Sequence, residues 1–209
     1  MPKITPFEQY SSQYEAWFEK NIFAYKSEIC AIKKVLPKNK HGVEIGIGSG
    51  KFTVPLGIKI GVDPSAKMRK IAEKRGLKVI EGVAEKLPFE NSTFDFALMV
   101  TTICFLDNIE KSFQEAYRIL KRGGSLIIGF VDKNSVVGKM YLQHKHESIF
   151  YKDANFYSVD EVVFYLKESG FKDFIFYQTI FKNLKDIKKI EPVKRGYGKG
   201  SFVVIKVKK

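Results

Sequence analysis

Residues 44–50, Glu44-Ile45-Gly46-Ile47-Gly48-Ser49-Gly50, decide the fold. They close an apolar run over residues 41–46 that reads as a buried strand. Glycine at every second position after a strand lets the chain turn sharply and lets a ligand approach the backbone. The spacing is G-x-G-x-G preceded by an acid. It is not the G-x-G-x-x-G with which dinucleotide folds aim a helix N-terminus at a pyrophosphate. Taken alone, the turn also fits a purely structural bend.

Working outward, apolar runs alternate with helical patterns. Short strands are predicted over residues 59–62 and 77–81, and longer ones over 94–100 and 125–131. Residues 65–74 read as a helix stopped at Gly76. Residues 50–58 contain Pro55 and are too few for a full crossover helix, so the first crossover must be stunted. Asp107, with Glu110 three residues on, is the expected cap of a helix ending at Gly123-Gly124. Ser158 and Glu161 open another in the same way, and Gly170 closes it. The runs 171–181 and 201–207 lack a helix between them and should pair antiparallel at the sheet edge. Strand–helix alternation of this kind implies an α/β fold: a doubly wound, mostly parallel, Rossmann-like sheet. Before it, residues 7–36 form an aromatic-rich helical stretch with Tyr14, Trp17, Phe18, Ile22 and Tyr25 at helical spacings, ended by Pro37 and Gly42.

A chain of 209 residues suffices for one domain with a buried core, 1–209, and 44% hydrophobic content excludes the disordered class. No run reaches the ~18 apolar residues of a membrane span. Met1-Pro2-Lys3-Ile4-Thr5-Pro6 lacks the apolar core of a secretory signal, so a cytoplasmic location is expected. Cys30 and Cys104 fit a reducing compartment and form no metal-ligand pattern. The net charge of +13 is concentrated near the C-terminus: ten Lys/Arg stand against Asp186 and Glu191 over residues 182–209. Such a segment could meet nucleic-acid phosphates, or simply form a solvated lysine-rich face.

Asp63 ends the second strand, 17 residues after Gly46. A carboxylate there can accept hydrogen bonds from both hydroxyls of a ribose, or cap the helix that follows. With this acid in place, four segments resemble the class I S-adenosylmethionine-dependent methyltransferases, especially the ubiquinone/menaquinone-biosynthesis type, the methyltransferase-11 domain. They are VEIGIGSGKF, GVDPSAKM, GVAEKLPFENSTFDFALM and RILKRGGSLIIG, spanning residues 43–129 in that order. The resemblance implies S-adenosylmethionine as cofactor and S-adenosylhomocysteine as product, without a metal. It places Gly46, Gly48 and Gly50 at the methionine end, with Glu44 orienting the turn or meeting the amino group through water. It puts Asp63 on the ribose, Pro64 and Met68 against the adenosine, and Ala84 and Glu85 beside the adenine. Thr101 and Thr102 fall at the methyl-transfer point. It further implies an N-terminal helical lid (1–40), a cofactor-binding core (41–131), a substrate-side insert (132–157) and a C-terminal helix and hairpin (158–209).

The acceptor is less legible. A small molecule enclosed by the lid and the insert is expected, with Tyr14, Trp17, His144 and His146 as candidate contacts. RNA methylation through the basic C-terminal segment, and a cofactor-binding module without catalysis, are the alternatives. Residues 194–200 read as a mobile loop in which basic groups and one aromatic could grip RNA. His144 and His146 are two apart and poorly matched for one metal. Cys104 lies near where some methyltransferases keep a nucleophile, but a small buried thiol explains it as well. No residue declares itself as a general base.

Overall fold

The computed structural model describes residues 3–209 and is built on an eight-stranded sheet in the order β3-β2-β1-β4-β5-β8-β6-β7. Its parallel half comprises β1 (Gly42–Ile45), β2 (Ile60–Asp63), β3 (Lys78–Glu81), β4 (Phe94–Val100) and β5 (Leu120–Val131). Adding β6 (Lys172–Thr179), β7 (Lys194–Arg195) and β8 (Phe202–Lys208) completes an antiparallel C-terminal half. The expected antiparallel pairing is present, with one refinement. β8 sits inside the sheet between β5 and β6, and the edge falls to the two-residue β7.

Alternate residues of the central strands feed two cores, as a sheet covered on both faces requires. On β4, Phe96, Leu98 and Val100 enter one cluster while Ala97 and Met99 enter the other. β8 repeats the pattern, with Phe202 and Val204 on one face and Val203 and Ile205 on the other. The first face carries α3 (Ile22–Lys33), the four-residue α4 (Thr53–Leu56) and α7 (Val136–Gln143). The second carries α6 (Ile109–Ile119) and α8 (Val159–Glu168). α4 is the stunted crossover; α5 (Ala66–Lys74) follows β2.

Four local expectations change. The N-terminal stretch is three helices, α1 (Thr5–Gln9), α2 (Ser11–Lys20) and α3, bent at Tyr10 and Asn21. At the second bend the Asn21 amide binds the Trp17 carbonyl at 3.0 Å, the local competition that makes asparagine a helix terminator. Asn108, not Asp107, caps α6, accepting from Lys111 N at 2.9 Å. The Glu85 carboxylate accepts from the Asp107 and Asn108 amides, so it seats the helix start that a capping box at Asp107 and Glu110 was expected to seat. α6 stops at Ile119, and Gly123 (φ +75°) and Gly124 lie within the irregular start of β5. There they serve the bend of a strand rather than a helix terminus. The 194–200 loop is fastened: Gln178 Oε1 accepts from Lys199 N at 2.9 Å and Gly200 N at 2.6 Å. Ser158 and Glu161 do form the capping box of α8.

Candidate functional site

The C-terminal ends of β1, β2 and β4 converge on a cleft, the place where open parallel sheets leave room for a ligand. Gly46 and Gly48 form its floor, and both have left-handed φ, +72° and +54°. A Cβ on Gly46 would come within 2.4 Å of Thr102 Cγ2, and one on Gly48 within 3.3 Å of the Tyr14 hydroxyl. Glycine is therefore required by conformation and by close approach together. Asp63, only 7% exposed, anchors the wall. One carboxylate oxygen accepts from Gly48 N at 2.7 Å and the other from Ser65 N at 2.9 Å, joining the glycine turn to the start of α5. Burial raises its acid to about 6 against those two bonds, leaving it mostly ionised at neutral pH. The cap of α5 is Ser65, whose hydroxyl accepts from Met68 N.

Pro64, Met68, Ala84 and Glu85 also line the cleft, as do Thr101 and Thr102. Thr101 has φ +51°, a left-handed conformation uncommon for a β-branched residue. Two of the expected residues do not line the cleft, and Glu44 takes the turn-supporting alternative rather than the one facing an amino group. Glu44 is buried beneath the turn, its carboxylate hydrogen-bonded by the Thr53 hydroxyl, and burial pushes its acid up to about 8. Gly50 faces Leu77, whose Cδ1 lies 2.4 Å from where its Cβ would be, so its role is packing between the turn and the strand below.

Beyond Thr101 the cleft opens into a second space. Phe7, Tyr14, Thr101 and Phe105 line both. This chamber, about 120 Å³, lies under α2 and against α3 and α7, and its walls are chiefly aromatic. Trp17, Phe18, Tyr141 and Tyr151 are among them, and Glu28 is the one carboxyl group. Ring contacts knit the roof: Phe7 meets Phe105 at 5.0 Å and Phe150 at 5.6 Å, and Tyr141 meets Tyr151 at 4.9 Å. The N-terminal helices are tied down over both spaces. The Ser65 hydroxyl donates to Glu8 at 2.7 Å, and Glu15 pairs with Arg75 and, at 3.2 Å, with Lys51.

Of the expected acceptor contacts, Tyr14 and Trp17 line the chamber, whereas His144 and His146 do not. Both histidines are exposed, and His144 faces Glu147 at 3.3 Å. The Cys104 thiol donates to the Thr101 carbonyl, and its apolar surroundings push it up to about 12, which keeps it from acting as a nucleophile. Sequence reasoning missed Glu28, Phe105, Tyr141 and Tyr151. For Glu28 a signal existed, an acid on a helix face otherwise made of Ala24, Ala31 and Ile32. Among the described residues no three His, Cys, Asp or Glu side chains gather as metal ligands, and no helix is long and apolar enough to cross a membrane.

The family described as the methyltransferase domain matches residues 43–128, the parallel half that builds the cleft. A solved Thermotoga maritima protein, described as an S-adenosylmethionine-dependent methyltransferase and possible histamine N-methyltransferase, is 51% identical, with a TM-score of 0.97 over 99% of each chain. An uncharacterized Methanocaldococcus jannaschii protein is 52% identical over 203 residues, 97% of this chain and 98% of its own. The 2-methyl-6-phytyl-1,4-hydroquinone methyltransferase 2 of Oryza sativa is 32% identical over 144 residues. This chain covers 38% of that protein's length.

Proposed function

The chain belongs to the S-adenosylmethionine-dependent methyltransferase family, and we propose that it methylates a small-molecule acceptor seated in the aromatic chamber. One observation carries this reading: cleft and chamber adjoin, sharing Phe7, Tyr14, Thr101 and Phe105 as a common wall, so that ligands in the two spaces would lie side by side.

The cleft fits the cofactor on its own geometry. Each Asp63 oxygen accepts one backbone N–H and keeps a lone pair for one of two ribose hydroxyls. Gly46 and Gly48 line the cleft with bare backbone, which a methionine chain can approach. Pro64, Met68 and Ala84 offer apolar surface for the adenosine, and Glu85 lines the same wall. When bound, S-adenosylmethionine supplies an already activated methyl carbon, which the acceptor's lone pair bonds as the C–S bond breaks and its electrons remain on sulfur. The protein's part is then mainly orientation and exclusion of water. Thr101 lies on the shared wall, and Phe7, Phe105 and Phe150 pack together beside it.

A chamber of about 120 Å³ holds on the order of ten water-sized spheres, at roughly 10–15 Å³ each, the scale of a small metabolite. Three lysines of the basic C-terminal segment also point away from an RNA reading. Lys206, Lys208 and Lys209 donate to the Val35, Gly123 and Leu120 carbonyls. Because β8 runs antiparallel to β5, Lys208 lies at the end of the sheet opposite the cleft. Calorimetry with S-adenosylmethionine, S-adenosylhomocysteine and NAD tests the cofactor assignment. Both sulfur ligands should bind and NAD should not; binding of NAD alone overturns it. A screen for S-adenosylhomocysteine release against amines, phenols, quinols and tRNA tests the acceptor, and turnover with tRNA alone overturns the small-molecule reading.

A further inference from the structure

Glu28 is the unexplained group of the chamber. α3 presents it between Ala24 and Ile32, it is 5% exposed, and among the described residues that line the space it is the one carboxyl group, with no Lys, Arg or His beside it. No hydrogen bond or ion pair engages its carboxylate among the described residues. A buried carboxylate without a partner is a costly feature in any core, and a hydrophobic residue would pack the same face of α3 without that cost. Its surroundings suit a cation. Trp17, Phe18, Tyr141 and Tyr151 line the chamber, aromatic rings attract an ammonium through their negative quadrupole, and Tyr141 and Tyr151 lie near enough to feel a Glu28 charge. The carboxylate and the rings therefore select for the same chemistry.

We infer that the methyl acceptor is a small primary or secondary amine, held in its ammonium form against Glu28 with its carbon skeleton among Trp17, Phe18, Tyr141 and Tyr151. This rests on the small-molecule reading above and names its substrate class. It also supplies the proton acceptor that the rest of the site lacks. An ammonium nitrogen has no lone pair, so it first gives one N–H proton to the Glu28 carboxylate. The freed pair forms the N–C bond to the methyl carbon as the C–S bond breaks, and the thioether keeps that bond's electrons. The product departs as an N-methylammonium, and Glu28 returns its proton to water. Burial brings the Glu28 acid up to about 8, close to neutrality, where a group can both take a proton and release it. An anionic acceptor such as a phenolate would instead meet repulsion.

Trp17 is the only tryptophan of the chain and lines the chamber, so its emission reports occupancy without turnover. The experiment titrates the protein, saturated with S-adenosylhomocysteine, with matched pairs: 2-phenylethylamine against 2-phenylethanol, and butylamine against butanol. At least one amine should bind tenfold or more tighter than its alcohol. E28Q, which keeps the shape and removes the charge, should abolish that preference while S-adenosylhomocysteine affinity stays within about twofold. Retained cofactor affinity also shows that the variant is folded. Equal binding of amine and alcohol, a preference that survives E28Q, or no response to either amine overturns the inference. Turnover with neutral acceptors only, found in the product screen, overturns it while leaving the small-molecule reading intact. Failure of S-adenosylhomocysteine to bind the native protein overturns both.

Discussion

The cleft and the chamber share a wall but are made of different material. The cleft is built from backbone and from short side chains at strand ends: Gly46 and Gly48 after β1, Asp63 closing β2, Thr101 after β4. Its groups are held by the sheet ladder and by hydrogen bonds of 2.7–2.9 Å from the glycine turn and the α5 start to one carboxylate. The chamber is built from long side chains on α2, α3, α7 and the 148–152 segment, held by ring packing. A sheet edge is hard to remodel without unfolding it, whereas helices above a sheet can exchange side chains freely. The difference teaches where each half of the reaction resides. On the proposed reading, the methyl donor, common to the family, would meet the rigid part, and the acceptor the part free to vary.

The sharpest way to break that division is to strike the rigid half alone. Asp63→Ala should weaken S-adenosylhomocysteine binding by about a hundredfold. It removes the acceptor for two ribose hydroxyls and also leaves the Gly48 and Ser65 amides unpaired, with charged hydrogen bonds worth roughly 1.5–3 kcal/mol each. Calorimetry on a folded variant with affinity within threefold of the native value removes Asp63 from the site.

The same division explains what could be read in the sequence. Gly46, Gly48 and Asp63 lie on contiguous segments whose spacing is dictated by strand and turn geometry, and the family resemblance marked Ala84 and Thr101; all five line the cleft. The stunted α4 followed from Pro55 and a short connection, and the α8 cap from Ser158 and Glu161. The chamber has no such local grammar. Glu28, Phe105, Tyr141 and Tyr151 meet only after α3, β4 and the insert have packed, and each looks alone like an ordinary helix or turn residue. His144 and His146 were attractive by residue type, yet the 3₁₀ turn Lys145–Glu147 turns them to solvent. Glu44 and Gly50 match their motif in sequence but support the turn from beneath. β8 escaped edge placement because nothing in a strand's own residues says which neighbour it will pair with.

Striking the variable half should give a smaller effect of opposite sign on stability. With burial raising the Glu28 acid to about 8, the folded chain binds more protons there than the unfolded chain between about pH 4.5 and 8. Stability is therefore lost as pH rises through that window, and above it the full cost of a buried charge remains. Glu28→Gln lacks this loss. Its melting temperature should match the native protein's near pH 5 and exceed it by several degrees at pH 9, at about 2–4 °C per kcal/mol for a chain of this size. Glu44 and Asp63 shift in the same direction but remain in both proteins, so the difference isolates Glu28. Melting curves that stay parallel across pH would show that the carboxylate is not buried as a charge.

Gly48→Ala probes the seam between the two halves. At φ +54° an added Cβ costs about 1–2 kcal/mol in backbone strain, and at 3.3 Å it crowds the Tyr14 hydroxyl that α2 lays over the turn. Cofactor and amine should both bind several-fold more weakly, because Tyr14 lines both spaces. If amine binding read by Trp17 emission is untouched while cofactor binding falls, the lid moves independently of the turn and the two spaces are less coupled than their shared wall implies.

The smallest effect is expected where the charge is greatest. Lys194 and Arg195 form the edge strand β7, and Lys199 lies in the loop that Gln178 fastens; none of the three lines the cleft or the chamber. Their side chains answer to solvent, apart from Lys194, which lies 5.0 Å over the Phe181 ring. Exposed contacts of this kind contribute a few tenths of a kcal/mol and are screened by salt. Replacing all three by alanine should leave cofactor affinity and turnover of a small amine within twofold at every ionic strength. RNA binding that falls steeply with salt in the native protein and is lost in the triple variant would give this edge a role of its own. It would do so without moving the acceptor out of the chamber, since a phosphate-binding surface and a buried carboxylate recognise opposite charges.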